Sequence, residues 1–359
     1  MAKRPGARRI ARPAGDRPDL WVAAALPGGE DLLKGEIERR FKGQVSFLPH
    51  GRNSECHFRY QGKPKALLSL QLCQSLYLRR DFQVTRPRTL LSPEHLAHLA
   101  RDLSSVRSIT PKERFTGLRW DAAGSGSPTM LRLGHSLAEQ LDLPFQNDTG
   151  DLVVTLRPGD DGWEALYRVG SRPLGTRAWR RVNYRGSLNA TVAAALVELT
   201  EPSPHDSFLN LMCGSGTIMI ERLQRSGARI VVGVDQSDIA LSAAAQNCAG
   251  AGVRERIMLL KGDATRLPFE DGSFDQLCVD LPWGESMGSR ESNEALYRAT
   301  FEESHRLCRP GGRLVVLSQD QRALEAVATN TAGSWQLIGQ RSFEQRGFRP
   351  ECRVYRRGG

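Results

Sequence analysis

From residue 186 onward, apolar runs that read as strands alternate with segments of helical period, and this alternation limits the possible folds more than any other feature. Strand-like runs lie at 208–212, 229–235, 256–261, 274–280 and 313–318, with helical patterns at 217–225, 237–249 and 293–307 between them. Strand, helix and strand in succession require a crossover, which makes the strands parallel and puts helices on both faces of the sheet. The sequence therefore predicts an α/β fold with a doubly wound sheet. The tail departs from the rule: residues 335–343 and 348–356 flank a turn at 345–347 and read as an antiparallel terminal hairpin.

The front half is patterned differently. Residues 1–18 are basic, rich in Pro and Gly and poor in large apolar side chains, so they read as a flexible tail. A strand at 20–26 leads through Gly28 and Gly29 to Leu32, Leu33, Ile37 and Phe41, which share one helical face. Alternating residues at 56–60, a helix-like stretch at 64–78 and a short strand at 81–84 complete a small α+β domain over 19–86. A second unit, 87–179, has a helical pattern at 93–103, a strand near 107–110 and a Gly/Ser-rich loop at 121–128. A helix at 131–141 and strands at 151–157 and 163–169 follow. The domain with the alternating pattern occupies 180–359.

Charge separates the halves. Residues 1–186 carry 31 Lys and Arg against 19 Asp and Glu, whereas residues 187–359 carry 19 against 21, so the front is +12 and the back −2. A polyanion held by the front half follows, since phosphate contacts release counterions and dominate nucleic-acid affinity. Between 172 and 185, Arg172, Arg177, Arg180, Arg181 and Arg185 interleave with Trp179 and Tyr184, a mixture suited to an RNA-facing linker. No apolar run approaches the length of a membrane span and no signal core opens the chain, so a cytosolic (cytoplasmic) protein with no membrane partner is expected. The seven cysteines are scattered without a CxxC pair and read as reduced, buried thiols. His95 and His98 have helical spacing but lack a second ligand pair, so no metal is expected.

The chemistry concentrates at the strand ends of the back half. The first strand, containing Asn210, runs into Cys213-Gly214-Ser215-Gly216-Thr217 and directly into a helix. Its glycines permit a tight turn and close ligand approach to free helix amides. Asp235, 19 residues after Gly216, ends the second strand, where a carboxylate can accept both ribose hydroxyls of an adenosyl group. A dinucleotide site uses similar parts, but Met219 stands where its third glycine would be. The third strand ends in Gly262-Asp263-Ala264; Asp263 either faces the same ligand or caps a turn. The fourth ends in Asp280-Leu281-Pro282-Trp283. To methylate an amino group on an aromatic ring, the nitrogen lone pair must be drawn out of conjugation and aimed at the methyl donor. Asp280 and the Leu281 carbonyl are placed to accept its two N–H groups, Trp283 to clamp the base and Pro282 to fix the bend. The plainer alternative is a strand-end Asp followed by a buried Trp.

These residues resemble the class I methyltransferases that carry a D/N-P-P-Y/F/W motif, and Pro310-Gly311-Gly312 before the fifth strand is also similar to them. More narrowly, the chain resembles the THUMP-containing tRNA guanine-N2 methyltransferases. Residues 20–41 look like their N-terminal ferredoxin-like domain, 131–175 like the end of a THUMP domain and 186–196 like the segment entering their catalytic domain. The resemblance implies a Rossmann-like catalytic sheet and S-adenosylmethionine as cofactor. It implies cofactor contacts from Asn210, Cys213, Gly214, Ser215, Gly216, Thr217, Asp235, Asp263, Ala264 and Asp280, and catalytic roles for Asp280, Leu281, Pro282 and Trp283. It further implies a tRNA partner held at its 3′ end and acceptor stem, with no obligate protein partner. Two departures stand out. Asn210 replaces the usual Asp of the first motif, leaving a neutral contact for the methionine amino group. Leu281 replaces the first proline of the motif, as in some guanine-N2 members. Methylation of rRNA or DNA, or an RNA-binding protein without catalysis, are the alternatives the residues leave open.

Overall fold

Two extended sheets organise the computed structural model, which describes residues 19–50, 52–282, 290–330, 333–344 and 347–358, and of these not the side chains of 290–292 and 330. The front half runs β1 (Leu20–Ala25), α1 (Glu30–Arg40), β2 (Val45–Phe47), β3 (Glu55–Tyr60), β4 (Cys73–Phe82), α2 (Pro93–Ile109), β5 (Leu118–Trp120), α3 (Pro128–Gln140), β6 (Leu152–Gly159) and β7 (Gly162–Arg168). The back half runs α4 (Ala190–Leu199), β8 (Ser207–Leu211), α5 (Thr217–Arg225), β9 (Ile230–Asp235), α6 (Asp238–Gly250), β10 (Met258–Lys261), β11 (Phe274–Asp280), α7 (Arg290–Leu307), β12 (Cys308–Ser318), α8 (Gln321–Asn330), β13 (Trp335–Ser342) and β14 (Glu351–Arg357).

The front sheet has the order β2-β3-β1-β4-β7-β6-β5. β4 pairs antiparallel with β1 on one side and β7 on the other, so the two units read on either side of residue 86 share one sheet. This pairing also corrects the helix expected at 64–78. A short 3-10 turn covers Pro64–Ser69 and the chain then extends into β4. The leucines there fit a helical stripe, but two flanking strands satisfy the backbone of an extended segment better than an isolated helix would. The strand expected at 107–110 is also corrected: α2 continues to Ile109. Ser92 caps it by accepting from the His95 amide, Pro93 sits in the first turn, and buried Leu99, Leu103 and Val106 carry the apolar stripe through the last turn.

The back sheet has the order β10-β9-β8-β11-β12-β14-β13. β8 to β12 are mutually parallel, while β14 runs antiparallel to both β12 and β13, so the terminal hairpin forms as expected. Strand order reverses at β8, between β9 and β11. Open α/β sheets bind ligands outside the carboxyl ends of the strands at such a reversal.

One face of this sheet is continuous with the front half. α4 is buried along Ala190–Val197, which suits a helix apolar on all sides, and packs against α5 and β12. Side chains from β1, β4, α4, α5 and the alternate positions Phe208, Cys278, Val315 and Leu317 share one core. The opposite face of the sheet packs against α7 and α8 through Tyr297, Phe301, Leu324 and Val327.

Buried charge joins the two halves. The Glu36 carboxylate on α1 accepts the backbone amides of Gln71 and Leu72, each at 2.9 Å. Gln71 Nε2 donates to Glu221 Oε2 of α5 at 2.9 Å, and Arg177 Nε donates to Glu221 Oε1 at 2.8 Å. Arg177 also donates to the Leu174 and Gln71 carbonyls, and its backbone is held at φ 51°. Burial pushes the Glu221 carboxyl up, opposed by the attraction of Arg177. Arg177, read as facing RNA, is therefore an internal strut.

Candidate active site

The tip of β8 is a strained turn. Met212 and Gly214 have φ of 50° and 51°, and Gly216, at φ 80°, forms the left-handed residue from which α5 starts. The Cys213 amide donates to the Val234 carbonyl, which ties the turn to β9. A Cβ on Gly214 would meet nothing within 4 Å, so the protein leaves open space at that turn. Met219 explains how the fold manages without the third glycine of a dinucleotide site. It packs over Gly233 of β9, where a Cβ would lie 2.2 Å from its sulfur.

Asp235, at the tip of β9, faces this turn. Its Oδ2 accepts the Gly214 amide at 2.8 Å and its Oδ1 the Ser237 amide at 2.9 Å. Two carboxylate oxygens offer about four acceptor sites, so both can still receive ligand hydroxyls. The Gly262 amide reaches the Asp235 carbonyl at 3.1 Å, which brings the third strand end alongside. Asp263 takes the turn-capping role: its Oδ1 accepts the Thr265 amide and hydroxyl at 2.9 and 2.8 Å, and Ala264 is buried beside it.

Cys213, Ser215 and Thr217 turn inward. Burial pushes the Cys213 thiol well above its ordinary value. Ser215 Oγ lies 2.9 Å from Ser187 Oγ, and Thr217 Oγ1 accepts from Arg180. Asn247 of α6 completes the tie. Its Oδ1 accepts the amides of Arg181 and Val182, and its Nδ2 donates to the Val182 and Ser215 carbonyls. The linker therefore straps the glycine turn, with Arg180 stacked 5.2 Å from the Trp179 ring.

Asn210 and Asp280 lie on the face of the sheet shared with α4 and α5. Fully buried Asn210 donates through Nδ2 to the Leu211 and Cys278 carbonyls at 3.2 and 3.1 Å, while its Oδ1 is enclosed without a hydrogen-bond partner among the described residues. The amide thus joins β8 to β11, a bond the usual carboxylate cannot donate. Asp280 Oδ1 is likewise enclosed and unpartnered, and burial pushes the carboxyl up from the ordinary 3.8 to about 7. An unpaired buried acceptor is costly, so two of them at one sheet edge mark a place for donors from a ligand.

The segment after Asp280 is held by a chain that sequence reading missed. The Leu281 amide donates to the Leu317 carbonyl at 2.9 Å. The Tyr297 hydroxyl donates to the Pro282 carbonyl at 2.7 Å and lies 2.8 Å from Ser318 Oγ. Because Tyr297 has one hydroxyl proton, Ser318 donates to Tyr297 and in turn accepts the Asp320 amide at 3.0 Å. Tyr297 reads in the sequence only as an apolar position on α7; its role depends on a strand end 15 residues earlier. Trp283 lies outside the described residues. Among the described residues, no group of three or more His, Cys, Asp or Glu is placed to hold a metal.

The strand tips thus offer open space at a glycine turn, a carboxylate beside it and two acceptors unpaired among the described residues. These parts fit an adenosyl sulfonium donor and an amino acceptor. Residues 177–346 match the family described as UPF0020, RMKL-like methyltransferase domain. A tRNA (guanine(6)-N2)-methyltransferase of Methanocaldococcus jannaschii is 24% identical, over 87% of this chain and 93% of its own length. The mouse tRNA (guanine(6)-N(2))-methyltransferase THUMP3 is 30% identical over 42% of this chain, which spans about a third (32%) of that relative. The crystal structure of TrmN from Thermus thermophilus superposes with a TM-score of 0.73 at 23% identity, covering 94% of this chain and 99% of that one. Strand order and glycine turn agree with the family match, which covers a little under half of the chain: residues 177–346 are similar to an RMKL-like (UPF0020) methyltransferase domain, on a class I methyltransferase fold.

Proposed function

We propose that the protein transfers a methyl group from S-adenosylmethionine to the exocyclic N2 amino group of a guanosine in tRNA. The observation that carries this reading is Asp280 Oδ1, without a partner among the described residues and enclosed at the end of the strand next to the one bearing the glycine turn. Bound S-adenosylmethionine supplies an electrophilic methyl on a sulfonium sulfur. Asp235 holds its ribose hydroxyls, and Asn210 Oδ1 offers a neutral acceptor to its methionine amino group. Asp280 accepts one N–H of the guanine amino group. Tyr297 occupies the Pro282 carbonyl, so the Leu281 carbonyl accepts the other. This geometry turns the nitrogen lone pair away from the ring and toward the methyl. As the N–CH3 bond forms and the S–CH3 bond breaks, its electron pair stays on sulfur and S-adenosylhomocysteine leaves as a neutral thioether; the nitrogen, now cationic, would shed a proton, for which Asp280 Oδ1 is the acceptor.

The target base has to leave its stack, because an amino group in a duplex is shielded. The front half supplies the hold on RNA, with the acceptor stem and 3′ end as the elements bound and the cytosol as the compartment. A cavity of about 390 Å³ opens there, lined in part by Arg86, Arg88, Ser127, Thr129 and Trp163. It combines guanidinium groups, an aromatic ring and the N-terminus of α3, which suits a single-stranded RNA end. The double variant Arg86→Ala/Arg88→Ala is expected to raise KM for tRNA about tenfold and reduce the salt slope of binding by roughly 2, with little change in kcat. Filter binding across a salt series checks this.

The function is tested by incubating the protein with labelled S-adenosylmethionine and, in competition, unmodified tRNA, rRNA fragments, small nuclear RNA and DNA, then digesting to nucleosides for mass spectrometry. N2-methylguanosine in tRNA is expected. Label confined to another polymer replaces the substrate, and no label in any of them removes the enzymatic reading.

A further inference from the structure

Gln319 is the third unpartnered acceptor at this sheet edge. It follows Ser318 at the end of β12, two residues after Leu317, and its Oε1 is enclosed with no hydrogen-bond partner among the described residues. β12 lies parallel to β11 with Leu317 opposite Asp280. Val315 and Leu317 face the same side of the sheet as Cys278. Asp280, the last residue of β11, continues that alternation, and Gln319 is the first residue beyond β12. The neighbouring backbone is clamped, because the Tyr297 hydroxyl touches both the Pro282 carbonyl and Ser318 Oγ. Two adjacent strand tips, held in fixed register, thus present one buried acceptor each.

Purines differ in what lies next to the reactive amino group. Beside its N2 amino group guanine carries N1–H, a donor, followed by O6. Adenine carries a bare ring nitrogen beside N6, an acceptor. A second acceptor beside the one that takes the amino N–H therefore fits guanine and faces a lone pair in adenine. A buried acceptor left unpaired keeps its full desolvation cost.

We propose that Gln319 selects the base: its Oε1 accepts guanine N1–H while Asp280 holds the amino group, and its Nε2 can turn toward O6. This rests on the guanine-N2 reading above. Gln319 is a specificity residue here, and no proton is transferred to it.

The test compares wild type, Gln319→Leu and Gln319→Glu on tRNA transcripts that carry guanosine or 2-aminopurine at the methylated position, under single-turnover conditions with excess enzyme. 2-Aminopurine keeps the amino group but has a ring acceptor in place of N1–H. Gln319→Leu is expected to lose about 10- to 100-fold on guanosine, in proportion to one buried hydrogen bond, and nothing further on 2-aminopurine. Gln319→Glu keeps an acceptor for N1–H but has no donor for O6, so it is expected to retain more guanosine activity than Gln319→Leu and to lose most on 2-aminopurine. An equal loss on both bases in Gln319→Leu, or no loss on either, overturns the proposal while leaving the guanine-N2 reading intact. Absence of N2-methylguanosine from wild-type reactions overturns both. Binding of S-adenosylmethionine, measured by titration calorimetry, is expected to be unchanged in both variants and separates a misfolded site from an altered specificity.

Discussion

Asp280→Asn is expected to lower methyl transfer by about 10²- to 10⁴-fold, the range a positioned proton acceptor contributes, and Asp280→Ala by at least as much. Asparagine retains an oxygen that can orient the amino group but cannot take its proton, so the difference between the variants divides orientation from proton acceptance. Burial raises the carboxyl from 3.8 to about 7, so in the free protein it is largely protonated at mildly acidic pH. The wild-type kcat/KM is accordingly expected to rise about tenfold per pH unit below 7 and to level off above it. For stability the sign is opposite. A carboxyl with a raised folded-state pKa contributes fully below its ordinary value of 3.8, and that contribution is lost as pH rises toward 7. The asparagine variant should therefore unfold no more easily than wild type above pH 7 while being nearly inactive. Thermal unfolding and single-turnover transfer across pH 5–9 measure both effects, and an asparagine variant within tenfold of wild type would remove Asp280 from the chemistry.

A second large effect is expected where the halves of the molecule meet. Glu221→Ala leaves Arg177 buried beside Gln71 and without its carboxylate partner. Breaking a buried ion pair from one side costs about 3–5 kcal/mol, which in a chain of this size lowers Tm by about 5 °C. Replacing both partners by apolar residues of similar volume, as in Arg177→Met/Glu221→Leu, restores most of that loss, because no charge then remains unpaired. Since Glu221 lies on α5 and Gln71 precedes β4, the single variant also loosens the placement of the basic front half on the catalytic sheet. KM for tRNA should rise more than the dissociation constant for S-adenosylmethionine. A Tm within about 2 °C of wild type for Glu221→Ala would show that the pair is not a strut.

The back sheet is largely legible in the sequence. Each of the five strands expected from residue 208 onward lies within a few residues of its observed position, and the hairpin closes as expected. Buried parallel strands are apolar throughout and are separated by helices of fixed period, so their signal is local. The front half was less readable. The leucines between 67 and 78 satisfied a helical stripe, yet β4 is the strand that joins both sides of the front sheet. α4, α8 and the short β2 and β5 are not legible as elements in the sequence: the helices lie on the two faces of the back sheet, and the strands are only three residues long.

Side-chain roles divided along the same line. Gly214, Gly216 and Asp235 were identified by residue type and spacing alone, because a tight turn needs glycine and a strand-end carboxylate is placed by the sheet itself. Asp263 left two readings open, and the structure commits one of its oxygens to Thr265. Arg177 and Arg180 looked like RNA contacts from their neighbours in sequence, but their partners, Glu221 and Thr217, are 44 and 37 residues away.

By itself the sequence determined the sheet, the glycine turn and the kinds of group at each strand tip, since backbone freedom and hydrophobic period act over a few residues. Only the tertiary structure decided which of those groups remain unpaired. It spends Arg177 on Glu221 and the Asn210 amide on Cys278, and it leaves Asp280, Asn210 and Gln319 with enclosed oxygens. Hydrogen-bond satisfaction and the cost of burying charge depend on everything packed around a side chain, and those neighbours come from distant parts of the chain.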